Sequence, residues 1–237
     1  MKLQVLDHLF KLLDILLTAG KPLSMAELGR LSGIERNAVW RIVSDLCDQG
    51  YLRRVGTRAV EPGMGMVFLG QASYSENFFP NLVYRELRKA ETELKVRCAL
   101  AGLFHEHLVY FYRSDQHNLY NSWRWPLFAS NIATCILTQR DGPVEALRKL
   151  SETLATSELV SEEEKPALLE QIHANIDHLE RYRYCIQCDH GRNNVAFPLR
   201  RNGQSFGLAF YNLPNDEKHL HDCIARGSKL RAKLSDE

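Results

Sequence analysis

Apolar residues recur at spacings of three and four along the first segment of the chain. They are Leu6, Leu9, Phe10, Leu13, Leu16 and Leu17. This period places them on one face of a helix and predicts an amphipathic helix over residues 3–18. Gly20 and Pro22 follow, and this pair predicts the end of the helix.

Two further helices are predicted directly after the first. Ser24 is followed three residues later by Glu27, which is the pattern of a capping box at a helix start. Gly33 then provides a tight turn, because glycine adopts positive φ without steric cost. A third helix is predicted over residues 35–49. Its buried face consists of Val39, Ile42, Val43 and Leu46.

Two short runs around Gly56-Thr57 predict a β-hairpin after the third helix. Three helices followed by a hairpin form a winged helix-turn-helix, which we expect to span residues 1–62 and to bind DNA. The alternative interpretation is a winged helix that contacts another protein and does not bind duplexes.

Charge within this segment favours the DNA-binding interpretation. Residues 30–58 contain six arginines, no lysine and three acidic residues. Arginine has a planar fork that suits guanine edges and phosphates. The third helix is expected to enter the major groove with Arg36, Asn37, Trp40 and Arg41. The hairpin is expected to contact phosphates through Arg53, Arg54 and Arg58.

The residues after this domain predict mixed strands and helices. Two strands are expected to meet at a turn near Glu106, a third strand over residues 118–125, and Pro126 just inside the next helix. A long helix is predicted over residues 161–183. Strands at 194–200 and 204–212 are joined around Asn202-Gly203, a strong hairpin signal, and a last helix is predicted over residues 216–233.

The chain resembles the IclR-type transcriptional regulators. The resemblance is carried by KPLSMAELGRLSGIERNAVWRIVSDLCDQGYLRR and EPGMGMVFLG, and further along by RWPLFASNIATCIL and GRNNVAFPLRRNGQSFGLAFYNLP. It implies an α+β protein with an N-terminal winged helix-turn-helix, a linker helix over residues 63–77 and a GAF-like α/β effector-binding domain over residues 78–237. A homodimer or a dimer of dimers is expected, because one winged helix reads too few base pairs for specificity. A two-fold dimer would match a pseudo-palindromic operator on double-stranded DNA.

The resemblance further implies an effector pocket between the start of one helix and the last strands. The lining residues it implies are Ala129, Ser130, Asn131, Asn194, Phe210 and Asn212. The resemblance implies a small organic acid or a sugar-derived compound as the effector. Backbone N–H groups at a helix N-terminus suit a carboxylate or a phosphate. The alternative for Ser130 and Asn131 is that they only cap the helix.

The sequence departs from the usual IclR pattern at several positions. Asn37-Ala38 replaces Ser-Thr on the reading helix, so a different base preference is expected. In the second domain Ala133-Thr134 replaces Gly-Lys, Asn194 replaces a cysteine, and an acidic cluster before Gly191 is missing. A regulator with a pocket that binds no effector is therefore a further alternative.

Composition adds limits to these predictions. The net charge of +1 names no partner, and no apolar stretch approaches the length of a membrane helix. The N-terminal segment contains charged residues among its apolar ones, unlike a signal peptide. The scattered cysteines suit a reducing compartment, so a cytoplasmic protein is expected. No phosphate loop, nucleophile elbow or pair of catalytic carboxylates is present, which argues against an enzyme.

A cluster of possible metal ligands gives an alternative sensing mode. Cys185, Cys188 and His190 lie close together in the sequence, and His219, His221 and Cys223 follow near its end. They are compatible with a zinc site or a thiol switch. Buried apolar cysteines are the commoner arrangement, so no metal and no cofactor are expected.

Overall fold

The computed structural model describes residues 4–73, 79–115, 125–189 and 191–236. The chain divides into two compact units, Met1–Phe78 and Phe79–Glu237. Each unit is built around buried apolar clusters of its own. Within the described ranges, no helix combines the length and the apolar character needed to cross a membrane.

The N-terminal unit is a winged helix-turn-helix followed by a further helix. Its elements are α1 (Gln4–Ala19), β1 (Leu23–Ser24), α2 (Met25–Ser32), α3 (Arg36–Asp48), β2 (Leu52–Val55), β3 (Ala59–Pro62) and α4 (Met64–Ser73). The three strands form an antiparallel sheet in the order β1-β3-β2. The predicted helices and hairpin are thus confirmed.

Local hydrogen bonds explain how α2 begins and ends. The backbone N–H of Glu27 donates to Ser24 Oγ at 3.2 Å, and the backbone N–H of Ser24 donates to Glu27 Oε2 at 2.8 Å. Gly33 ends the helix with φ of 66°, a left-handed conformation that favours glycine. The predicted capping box and turn are both confirmed.

The C-terminal unit contains one antiparallel sheet with helices on both faces. Its elements are α5 (Phe79–Leu94), β4 (Arg97–Phe104), β5 (His107–Arg113), a 3-10 turn (Leu127–Ala129), α6 (Asn131–Asp141), α7 (Pro143–Ala155), α8 (Lys165–Tyr182), β6 (Cys185–Asp189), β7 (Arg192–Arg201), β8 (Gln204–Leu213) and α9 (Glu217–Leu234). The strand order is β5-β4-β8-β7-β6. The expected combination of an N-terminal winged helix and a C-terminal α/β unit is confirmed.

The two faces of this sheet have separate cores. The helices α6, α7 and α8 pack on one face, where their apolar residues meet small side chains of the strands such as Ala99 and Ala209. The helices α5 and α9 pack on the other face around Phe197 and Phe210. Gly227 of α9 lies so close to Phe197 that a Cβ there would approach its ring to 2.1 Å.

Several elements of this unit differ from the sequence predictions. The helix predicted from residue 161 begins at Lys165, because Glu164 accepts hydrogen bonds from the backbone and hydroxyl of Ser161 and closes a turn there. Pro126 precedes a 3-10 turn, and α6 begins after Ser130. The strand predicted over residues 118–125 lies almost wholly outside the described residues.

Candidate functional site

The packing of α3 decides which of its side chains face outward. Val39, Val43 and their apolar neighbours are buried against α1, α2 and the wing. The opposite face therefore carries the polar residues and one large aromatic ring. All four predicted reading residues are exposed there: Arg36, Asn37, Trp40 and Arg41.

A groove of about 320 Å³ lies between α3, the start of α2 and the wing. We call it the basic groove. Its described lining residues include three arginines and no acidic residue. They are Ser24, Met25, Ala26, Arg36, Trp40, Arg54, Thr57, Arg58, Ala59 and Val60. Four of the seven predicted DNA-binding residues meet here, whereas Asn37, Arg41 and Arg53 do not line the groove.

The two arginines at the start of the wing have different surroundings. Neighbouring residues of a strand point to opposite faces, so Arg53 and Arg54 diverge. Arg54 Nη2 donates to Ser44 Oγ of α3 at 3.3 Å and lines the basic groove. Arg53 forms an ion pair with Glu61 on β3, which offsets its charge.

A second cavity, of about 340 Å³, opens in the C-terminal unit between the start of α6 and one end of the sheet. We call it the C-terminal pocket. Five of the six predicted effector residues line it, namely Ala129, Ser130, Asn131, Asn194 and Asn212. Its other lining residues are Ala99, Tyr110, Arg113, Trp125, Ile132, Gln187, Arg192, Ala209 and Tyr211.

Phe210 does not line the pocket, which corrects the placement expected for it. The side chains of β8 alternate, so Ala209 and Tyr211 face the pocket while Phe210 faces α9. Phe210 is fully buried and packs edge-on against Phe197, at 6.1 Å between ring centroids. It is therefore a core residue of the opposite face.

The asparagines of the pocket are held by hydrogen bonds to one another. Asn131 Nδ2 donates to the carbonyl of Asn194 at 3.4 Å, and Asn175 Nδ2 donates to Asn131 Oδ1 at 3.3 Å. The backbone N–H of Asn212 donates to Asn194 Oδ1 at 2.8 Å. Ser130 Oγ accepts from the N–H of Ala133, so this hydroxyl caps α6 and also borders the pocket.

A charged cluster beside these residues was not predicted from the sequence. Arg113 Nε donates to Asp115 Oδ1 at 2.6 Å, and the hydroxyl of Tyr211 donates to the same oxygen. The Arg113 guanidinium lies 5.2 Å from the ring centroid of Tyr110 and 5.1 Å from that of Tyr211.

The opposite charges of Arg113 and Asp115 compensate each other within this cluster. Burial raises the pKa of Asp115, but the hydrogen bonds from Arg113 and Tyr211 outweigh it and the pKa is lowered overall. Burial and the nearby Asp115 carboxylate raise the pKa of Tyr211. The charge of Arg113 is thus already compensated. Arg192, a further arginine of the pocket, lies on β7 opposite Asp189 of β6.

The chain is similar to a known domain family and to solved structures. Residues 5–56 match the IclR helix-turn-helix domain model. The structure of an IclR family transcriptional regulator from Brucella abortus matches with a TM-score of 0.77 and 18% identity, covering 98% of this chain and 91% of that one. No curated protein sequence matches the chain.

Two further solved structures share the fold. A putative IclR transcriptional regulator from Silicibacter sp. TM1040 has a TM-score of 0.74 and 16% identity, with 98% and 97% of the two chains covered. An IclR homolog from Microbacterium hydrocarbonoxydans, complexed with 4-hydroxybenzoate, has a TM-score of 0.68 and 17% identity, with 97% and 98% covered. The chain has the fold of the IclR-family transcriptional regulators.

Among the residues that the structure describes, the cysteines that were considered as metal ligands have different surroundings. Cys185 is buried with its Sγ 3.7 Å from that of Cys135, and burial raises the pKa of the Cys135 thiol. Cys188 is exposed. It lies three residues after Cys185 and therefore faces the other side of β6. His190 lies outside the described residues. Among those described, no three His, Cys, Asp or Glu side chains are grouped to hold a metal ion.

The Asp115 carboxylate gives the C-terminal unit a testable pH dependence. Its lowered pKa stabilises the fold above the unfolded value of about 3.9, and this contribution is lost as the pH falls below that value. We expect Asp115→Asn to lower the free energy of unfolding at pH 7 by about 1–2 kcal/mol, allowing for partial exposure. Thermal and urea unfolding at pH 7, 5 and 3.5 measure it.

The matched control is Glu163→Gln on the exposed turn before α8. It should unfold like the wild type at every pH. The difference between wild type and Asp115→Asn should shrink at the lowest pH. A difference that stays constant from pH 7 to 3.5 means that the ionised carboxylate is not what stabilises this cluster.

Proposed function

We propose that the protein is a DNA-binding transcriptional regulator whose operator affinity is changed by a small organic acid bound in the C-terminal pocket. The observation that carries this proposal is the basic groove on a domain that matches the IclR helix-turn-helix model. The matched domain and the fold support the general role of an IclR-type transcription factor. The partners and site residues proposed below are more specific than this role.

The basic groove supports DNA binding by its charge and by its position. Arg36 and Trp40 lie one turn apart on α3, the helix that enters the major groove in helix-turn-helix proteins. Arg54 and Arg58 lie across the groove on the wing, where phosphates of the same duplex would pass. Asn37 and Arg41 are exposed on the next positions of α3. We assign base contacts to α3 and backbone contacts to the wing.

The C-terminal pocket favours a planar organic acid over a sugar-derived compound. Ala99 and Ala209, directly paired across β4 and β8, form a flat apolar floor. Tyr110, Trp125 and Tyr211 provide aromatic walls. A sugar needs many free polar partners, whereas the pocket asparagines already bond to one another. An aromatic ring matches these surfaces better.

The acid group of such a ligand has two places to bind. The first-turn N–H groups of α6 lack intrahelical acceptors, and Asn131 and Ile132 border the pocket. Arg192 supplies a cation at the wall of the pocket. The IclR homolog from Microbacterium hydrocarbonoxydans holds 4-hydroxybenzoate, so this acid is the first probe to test.

Helix α1 supports assembly with a second copy of the chain. Its inner face buries Leu12 and Leu16. Its outer face exposes Phe10 by 59% and Leu17 by 48%, at a spacing that continues one helical stripe. Exposed apolar stripes of this kind mark protein interfaces. A two-fold dimer would present two reading helices to a pseudo-palindromic operator in the cytoplasm.

Cysteine-based sensing is not favoured as a second function. A joint metal site needs Cys185 and Cys188 on the same side of β6, and the strand separates them. The Cys135 and Cys185 thiols are buried without solvent access, and thiolates react far faster than buried thiols.

The first experiment selects bound duplexes from random DNA at two salt concentrations. Enrichment of a pseudo-palindrome is expected, because a dimer reads two half-sites. Binding that is weak, independent of sequence and lost in salt would contradict a sequence-reading domain.

The wing arginines give a matched pair of variants. Arg54→Ala should lower the salt slope of operator binding by about two, since one phosphate contact is lost in each of the two heads of a dimer. Arg53→Ala should change the slope less, because Glu61 already offsets that charge. Fluorescence anisotropy over a salt series measures both. Equal effects of the two variants would show that the wing does not present Arg54 to the backbone.

Effector binding is tested with 4-hydroxybenzoate and its neutral analogue 4-hydroxybenzamide by calorimetry. Arg192→Ala should weaken binding of the acid about ten-fold, since a charge-assisted contact is lost, and leave binding of the amide unchanged. Arg200→Ala, at the other end of β7, is the control. If the wild type binds neither compound, the aromatic-acid assignment is wrong.

Assembly is tested by placing a charge on the α1 stripe. Phe10→Asp should convert the dimer to a monomer and weaken operator binding, because a buried charge at an apolar interface is unfavourable. Light scattering after gel filtration measures the mass. Leu31→Asp changes a residue of α2 with similar exposure outside the stripe, and it should leave the mass unchanged. A Phe10→Asp chain with wild-type mass would place the interface elsewhere.

A further inference from the structure

We infer that Trp40 recognises the methyl group of a thymine in the major groove and so selects an A·T pair in each half-site. This inference rests on the proposed DNA binding and specifies the base that one side chain reads.

The first observation is the exposure of the Trp40 ring. It is the largest apolar side chain of α3, yet 57% of it is exposed. The helix has a complete buried face without it, formed by Val39, Ile42, Val43 and Leu46. Trp40 therefore contributes little to the core of the unit. A large apolar group left in water on one face of a helix marks a contact surface.

The second observation is the charge around this ring. Arg36, Arg54 and Arg58 line the basic groove with Trp40, and no acidic residue is found among its described lining residues. Like charges would repel a second copy of the same groove. The surroundings of Trp40 therefore suit a polyanion, and the duplex is the occupant that the fold already implies.

The chemistry of the indole then limits what it contacts on DNA. An indole offers a single N–H donor and a broad apolar surface, so it is poorly suited to phosphates, which the neighbouring arginines contact better. The apolar group that the major groove exposes is the C5 methyl of thymine. Covering that methyl removes apolar surface of both partners from water. An A·T pair opposite Trp40 is therefore favoured over a G·C pair.

The position of Trp40 on α3 agrees with base contact. Arg36 lies one turn before it on the same face, at the N-terminal end that penetrates deepest into the groove. Both side chains line the basic groove. The spacing of four residues, about 6 Å along the axis, brings them over base pairs within two steps of each other, at about 3.4 Å per step. Arg36 can read a guanine while Trp40 covers a nearby thymine.

The experiment replaces single thymines of the selected operator by deoxyuridine, which removes only the methyl group. In each half-site, replacing one particular thymine should lower the affinity of the wild-type protein about four-fold. This factor corresponds to the free energy of burying one methyl group. Trp40→Ala should bind the thymine and deoxyuridine duplexes equally well. Trp40→Phe should retain part of the discrimination, because its ring still covers the methyl group.

The controls separate this inference from the proposed function. Leu31→Ala, outside the groove, should keep the wild-type response to deoxyuridine. If Trp40→Ala still discriminates, or if no thymine of an enriched motif responds, Trp40 does not read a methyl group and sequence-specific binding stands. If Trp40→Ala weakens the thymine and the deoxyuridine duplexes by the same factor relative to the wild type, the indole contacts the backbone and this inference is wrong. A wild-type chain that enriches no sequence overturns both the proposed function and this inference.

Discussion

The alternation of side chains across antiparallel strands determines both candidate sites of this protein. In β8, a shift of one residue separates Tyr211, which borders the pocket, from Phe210, which fills the core against Phe197. In β2 the same rule separates Arg54, which faces α3, from Arg53, which pairs with Glu61. Arg53 and Arg54 of β2 are exposed on opposite sides of the wing, and the two faces of β8 pack against different helices, so a slip of one residue would disrupt either arrangement. The core of each unit therefore selects which polar groups are presented to a ligand.

The C-terminal pocket depends on a contrast between small and large side chains. Ala99 and Ala209 leave space where larger residues would have closed the two layers, and the fully buried Phe197 and Phe210 fill the opposite face. At the polar rim, Asp115 accepts hydrogen bonds from both Arg113 and Tyr211. A compensated ion pair of this kind shapes the cavity without demanding a charged ligand. Selectivity for the proposed acid would therefore come from other groups.

The sequence predicted the elements that local chemistry specifies. The capping box of Ser24, the turn at Gly33 and the Asn202-Gly203 hairpin depend on residues close in the chain, and all are present. Helix α7 was missed, although Gly142-Pro143 precedes buried Ala146 and Leu150 at helical spacing. Strand β6 was interpreted only as a cysteine cluster. The Arg113–Asp115–Tyr211 cluster could not be predicted, because β8 reaches β5 only through the sheet order, which no local pattern encodes.

Coupling between a DNA surface and a ligand pocket imposes one condition whatever the effector is. A ligand shifts the protein between two arrangements only by the difference in its affinity for them. By linkage, an effector that weakens operator binding by a given factor must itself bind the DNA-bound protein more weakly by the same factor. Polar groups that already bond to one another leave few ways to bind a ligand equally well in two arrangements, because such hydrogen bonds tolerate little displacement. The hydrogen-bonded asparagines at the start of α6 thus suit the proposed pocket that distinguishes two states.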